Sequence, residues 1–193
     1  DLLLAIYHDI LTADDQFVLS KGHSAGALYV ALWSIGRLTD DDLKQFHRDG
    51  TRMSAHPPAQ GIEDVLFATG SLGHGVGLAS GLALGRRFQN RPGRAICLTS
   101  DGEWNEGSMW EALIFAKHQD LTNQVIIVDE NGLQGFGSTK EVANITPLAV
   151  ALKRTQVRVT EGGGSVGMGP ATSGGGSGGQ LDSWSGAQRV RNV

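Results

Sequence analysis

Over the first 150 residues, short apolar runs closed by turn residues alternate with stretches of helical spacing. Arg94–Thr99 (RAICLT) and Gln124–Val128 (QVIIV) read as buried strands, short and bounded by turn signals. Between them, Gly107–His118 carries Met109, Trp110, Leu113 and Ala116 at helical spacing. Strand, helix, strand is a βαβ crossover, so the two strands are expected to be parallel, with their C-terminal ends on one edge. Open α/β sheets bind ligands at that edge. A second helix is expected through Gly73–Gly85, where Leu78, Ala79 and Leu82 set the period and glycines recur at 73, 77, 81 and 85. An interior helical Gly costs about 1 kcal/mol relative to Ala. A ridge of them therefore predicts the close approach of another helix or backbone. A loose glycine-rich loop fits the leucine spacing poorly. A dinucleotide-binding Gly-x-Gly-x-x-Gly also fits poorly, since the third Gly is misplaced and no clear strand precedes it.

Composition narrows the class. The 193 residues suit one domain with a real core. Of 16 Lys/Arg and 20 Asp/Glu, residues 151–193 hold five and two, which leaves 11 against 18 in residues 1–150, a net charge of −7. Such a body argues against nucleic-acid binding, which needs cationic surface. No apolar stretch reaches membrane-spanning length and no signal-peptide pattern opens the chain, so a cytoplasmic protein without a membrane partner is expected. Cys97, the single cysteine, lies in the first expected strand and reads as a small core residue.

Each strand ends on a candidate ligand. Asp101 follows the first and Asn131 the second, 30 residues later. A carboxylate and an amide oxygen on one sheet edge suit a hard divalent cation such as Mg²⁺, with Ca²⁺ or Mn²⁺ as substitutes. The spacing alone is equally compatible with two residues that only make turns and caps. Ser71-Leu72-Gly73-His74-Gly75 opens the glycine-bearing helix, and free N–H groups at a helix start favour anions.

The surrounding motifs are more specific. Asp101-Gly102 followed by Asn131 resembles the thiamine-diphosphate fingerprint. Leu19-Ser20-Lys21-Gly22-His23, Ala55-His56-Pro57, Thr69-Gly70-Ser71-Leu72-Gly73-His74-Gly75, Asn105-Glu106-Gly107 and Gly132-Leu133-Gln134-Gly135-Phe136-Gly137 follow in transketolase order. From Leu2 to about Leu148 the chain is similar to the diphosphate-binding part of transketolases, especially the N-terminal subunit of split enzymes. The resemblance implies a three-layer α/β fold, a mainly parallel sheet flanked by helices and truncated at both ends. Residues 1–150 would form a partial domain binding thiamine diphosphate and Mg²⁺. It further implies metal ligation by Asp101, Asn131 and the Leu133 carbonyl, with cofactor contacts from His23, Gly70, Ser71, Leu72, His74, Gly102, Glu103 and Asn131. His23, His56 and His74 would line the channel as catalytic residues, and Glu106 would join carboxylates between active sites. Glu106 is equally well placed to favour the dipole of the Gly107–His118 helix. The resemblance assigns no role to Lys21, and His8, His47 and His118 match no motif.

The implied activity is transfer of a two-carbon ketol unit from a ketose phosphate to an aldose phosphate. It requires a C-terminal subunit or pyrimidine-binding domain as partner, in a homodimer or heterotetramer, because nothing in this chain matches that domain. The isolated chain is therefore expected to be inactive and marginally stable. A 1-deoxyxylulose-5-phosphate synthase, the α-subunit of a 2-oxo acid dehydrogenase, a non-catalytic remnant and a phosphate-binding module are the alternatives. One departure stands at Ser100, where the fingerprint has Gly.

Both ends are unusual. Asp1–Tyr7 starts inside a helical pattern, and a fragment is expected there. Residues 151–193 read as a Gly/Ser-rich tail, with 11 Gly among the last 33 residues, too few buried groups to offset the entropy of ordering. The sheet is accordingly expected to lack one strand.

Overall fold

The computed structural model describes residues 1–145 and 159–161. Its main sheet has four parallel strands in spatial order β1 (Gln16–Leu19), β2 (Ala95–Ser100), β3 (Gln124–Asp129) and β6 (Val159–Glu161). A separate hairpin is formed by β4 (Leu133–Gln134) and β5 (Gly137–Ser138). Phe17 pairs with Ile96, Ile96 with Val125, and Ile126 with Val159. The helices are α1 (Leu2–Ala5), α2 (Ala25–Ser34), α3 (Asp40–Leu43), α4 (Gly75–Phe88), α5 (Gly107–His118) and α6 (Thr139–Val142).

Strand side chains alternate between two apolar layers, as the pleat requires. Phe17, Leu19, Ile96, Leu98, Val125 and Ile127 face a core completed by Leu28, Tyr29 and Leu32 of α2. Val18, Ala95, Cys97, Ile126 and Val128 face the opposite core, completed by Val76, Ala79 and Ala83 of α4 and Met109, Leu113 and Ala116 of α5. Coverage on both faces explains why β2 and β3 read as near-continuous apolar runs. Cys97 is fully buried, and burial pushes its thiol up, so it is packing material.

Two expectations change. The ridge Gly77, Gly81 and Gly85 has no close neighbour: an added Cβ at any of the three meets nothing within 4 Å among the described residues. α4 buries Val76, Ala79, Ser80 and Ala83 instead, which turns the glycines away from the sheet. The sheet also has a fourth strand, β6, beyond the domain end expected at residue 150. The remainder of the expected tail lies outside the described residues.

One ion pair ties the starts of β1 and β2. Arg94 Nη2 donates to Asp15 Oδ2 at 2.6 Å and the Arg94 N–H to Oδ1 at 2.7 Å, while the Thr12 N–H reaches Oδ2 at 3.0 Å. Burial works to raise the Asp15 pKa, but Arg94 and the backbone donors outweigh it and hold the carboxyl well below the usual range. A depressed folded pKa adds stability above the unfolded value near 4, and that stability is lost as pH falls toward the folded value. Asp15→Ala is expected to reduce unfolding free energy by about 1–2 kcal/mol at neutral pH, since charge-assisted hydrogen bonds are lost but the Arg94 side chain is 38% exposed and partly screened by solvent. In urea titrations the gap from wild type should narrow at pH 3. A pH-independent gap would contradict this reading.

Candidate functional site

Loops leaving the C-terminal ends of β1, β2 and β3 converge on one edge of the sheet, joined by the loop that precedes α4. The residues following each strand are Ser20-Lys21-Gly22-His23, Asp101-Gly102-Glu103 and Glu130-Asn131-Gly132-Leu133.

Asp101 anchors this edge. It is 4% exposed, and its Oδ1 accepts the Gly102 N–H at 2.9 Å. Its Oδ2 accepts the Gly132 N–H at 2.8 Å, which draws the Asn131 turn onto the end of β2. Gly132 permits that turn at φ +73°. Asn131 Oδ1 accepts the Leu133 N–H at 2.9 Å, and the Leu133 carbonyl lies 3.4 Å from where a Cβ on Gly102 would stand. The structure thus brings together the three residues expected to ligate metal. One carboxylate, one amide oxygen and one carbonyl oxygen make a donor set that fits a hard divalent cation. Among the described residues no three His, Cys, Asp or Glu side chains form a metal-holding group. That absence is neutral toward a set containing a single acidic ligand.

Ser100 causes no strain. It is the last residue of β2, paired with Asp129, and is not among the non-glycine residues with positive φ. The freedom that Gly would supply is not used at this position, so the departure from the fingerprint leaves the backbone intact.

The histidines stand around the same edge. His23 is exposed on the 3₁₀ turn Gly22–Ser24. Partial burial, then the charges of Lys21 and His56, hold its pKa below the ordinary value, which keeps the ring neutral near pH 7. His56 packs its ring against Gly70, where a Cβ would come within 2.9 Å of Cδ2. His74 is the residue before α4, with Nδ1 3.0 Å from the Ser71 carbonyl. A carbonyl only accepts, so Nδ1 carries a proton, and in the neutral tautomer Nε2 is the acceptor. Glu106 is exposed at the start of α5 without a side-chain cap, and its Cβ stands 2.7 Å from the place of a Gly73 Cβ. Gly73 itself has φ +86°. His8, His47 and His118 are exposed.

Two features are not legible in the sequence. Lys21 is buried and pairs with Asp129, linking the ends of β1 and β3 across β2. Glu103, expected to touch cofactor, is instead 0% exposed, with its carboxyl against the Ser20 hydroxyl. The 3₁₀ turn Gly102–Asn105 rotates this side chain inward, and motif spacing carries no signal of that rotation.

Comparison with known proteins fits this geometry. Residues 8–149 match the family described as transketolase, thiamine diphosphate binding domain. Mouse transketolase-like protein 2 is 44% identical over 145 residues, 74% of this chain and 22% of that protein. An apulose-4-phosphate transketolase subunit from Actinobacillus succinogenes is 34% identical over 157 residues, 77% of this chain and 57% of that protein. Among solved structures, transketolase from Leishmania mexicana superposes with a TM-score of 0.70 at 27% identity, over 78% of this chain and 25% of that one. The chain spans about a fifth of the full-length relative and little more than half of the bacterial one. It belongs to the transketolase family, of which it carries the thiamine diphosphate binding domain.

Proposed function

We propose that this chain is the diphosphate- and metal-binding component of a thiamine-diphosphate-dependent transketolase, moving a two-carbon ketol unit from a ketose phosphate to an aldose phosphate. The observation that carries the reading is Asp101, buried at the end of β2 and holding the Asn131–Leu133 turn through the Gly132 N–H. Asp101, Asn131 and the Leu133 carbonyl would hold Mg²⁺ against the cofactor diphosphate. Gly102 leaves backbone room beside them, since a Cβ there would lie 2.7 Å from Gln134 Cβ. When bound, thiamine diphosphate supplies the electron sink for carbon–carbon cleavage, while the protein supplies orientation and electrostatics.

The residues of this chain have separable tasks in that reading. A neutral His23 accepts or donates a hydrogen bond without adding charge. His74, with Nδ1 committed to Ser71, offers Nε2 toward a hydroxyl. His56 would face the substrate, and Gly70, Ser71 and Leu72 would border the cofactor. Glu106 would meet carboxylates of a neighbouring active site. A pyrimidine-binding domain or C-terminal subunit completes the enzyme. Two bacterial relatives are named as single subunits of a transketolase, which supports such a partner.

Calorimetric titration of thiamine diphosphate into the chain, with Mg²⁺ and with excess chelator, tests the core of this proposal. Metal-dependent binding is expected, weakened at least roughly a hundredfold by Asp101→Ala through loss of the only carboxylate ligand. Binding that survives both chelation and the substitution would defeat it.

A further inference from the structure

The start of α4 reads as an anion cradle, yet the Gly75 N–H is directed into the protein. Ser20 Oγ accepts the Gly75 N–H at 3.1 Å and donates its own proton to Glu103 Oε1. The second Glu103 oxygen, Oε2, is buried and closes no hydrogen bond among the described residues. The contact is tight, for a Cβ on Gly75 would stand 2.3 Å from Ser20 Cβ and Oγ. Through Ser20, one buried carboxyl therefore links the turn after β1, which bears His23, to the first residue of α4, next to His74, and it stands in the turn that follows Asp101.

We propose that Glu103 is a positioning residue, acting through Ser20 to hold the first turn of α4 and the Ser20–His23 turn in register with Asp101. Its complete burial separates it from ligands, and an incompletely satisfied buried carboxyl is a poor space-filler. Any consequence for cofactor binding rests on the function proposed above; the link from Glu103 through Ser20 to Gly75 does not.

Amide hydrogen exchange on the full 193-residue chain reads the link directly. Glu103→Gln keeps a carbonyl acceptor for Ser20, and exchange at Gly75 should stay within roughly threefold of wild type. Glu103→Leu fills the volume without an acceptor and should raise that exchange roughly tenfold or more, as should Ser20→Ala. In parallel, thiamine diphosphate titrated with Mg²⁺ should bind the Leu variant at least roughly tenfold more weakly and the Gln variant nearly as well as wild type. A Leu variant equal to wild type, or a Gln variant as impaired as Leu, overturns the proposal. If Glu103→Leu fails to fold, the Ser20→Ala exchange decides the same link. If wild type binds no cofactor, the functional reading fails while the exchange data still decide Glu103.

Discussion

Gly22→Ala is expected to lower the melting temperature of this chain by roughly 6–12 °C and to open the site. An added Cβ would lie 2.4 Å from the Thr69 carbonyl oxygen, 2.5 Å from its carbon and 2.7 Å from the Gly70 nitrogen. Those atoms are backbone, so no rotamer change relieves the overlap, and the turn after β1 must separate from the loop before α4. Overpacking of this kind costs about 3 kcal/mol, and each kcal/mol shifts the midpoint by about 2–4 °C for a domain of this size. Gly26→Ala is the matched control. Its Cβ would meet the flexible end of Phe46 at 3.4 Å within α2, and helix propensity makes the change neutral or favourable. Thermal melts followed by circular dichroism separate the two variants. Equal melting for Gly22→Ala and wild type would mean that the loops do not meet at backbone distance.

The triple substitution Gly77→Ala, Gly81→Ala and Gly85→Ala should act in the opposite direction on the isolated chain. Each methyl enters open space among the described residues, and each replaced glycine returns about 1 kcal/mol of helix propensity. A combined gain of about 3 kcal/mol corresponds to a midpoint rise of roughly 6–12 °C. A partner helix that used the exposed glycine ridge of α4 for close packing would lose that contact in the same variant. Three methyls would hold that helix off and weaken association roughly tenfold or more, read by sedimentation at varied protein concentration. A destabilised isolated chain would show that the ridge is covered intramolecularly. This divergence, a firmer chain with a weaker assembly, also tests the expectation that the chain alone is marginally stable.

Within the fold, what can be read in advance is the part governed by neighbours along the chain. α5 spans the residues that its apolar spacing marks, and β2 and β3 end within one residue of the expected bounds. β1 gives no such signal because its apolar run is only Phe17-Val18-Leu19, too short for a period. Pairing with β2 and the Asp15–Arg94 ion pair make it a strand. β6 is hidden for a similar reason, since Val159–Glu161 has little pattern of its own and is placed by its register against β3.

The candidate site divides along the same line. Motif order already locates Asp101, Asn131 and Leu133 on one edge, because a parallel crossover carries both strand ends there. Motifs do not show that Glu103 turns inward to Ser20, that Lys21 pairs with Asp129, or that Ser100 occupies ordinary strand backbone. Residue order alone carries the periodicities, the transketolase motifs and the residue types available to hold a metal and a diphosphate. Which of those groups face ligand and which face one another follows from the folded arrangement. Side-chain direction at a loop depends on partners 83 and 108 residues away, for Ser20–Glu103 and Lys21–Asp129, and local propensity has no access to them.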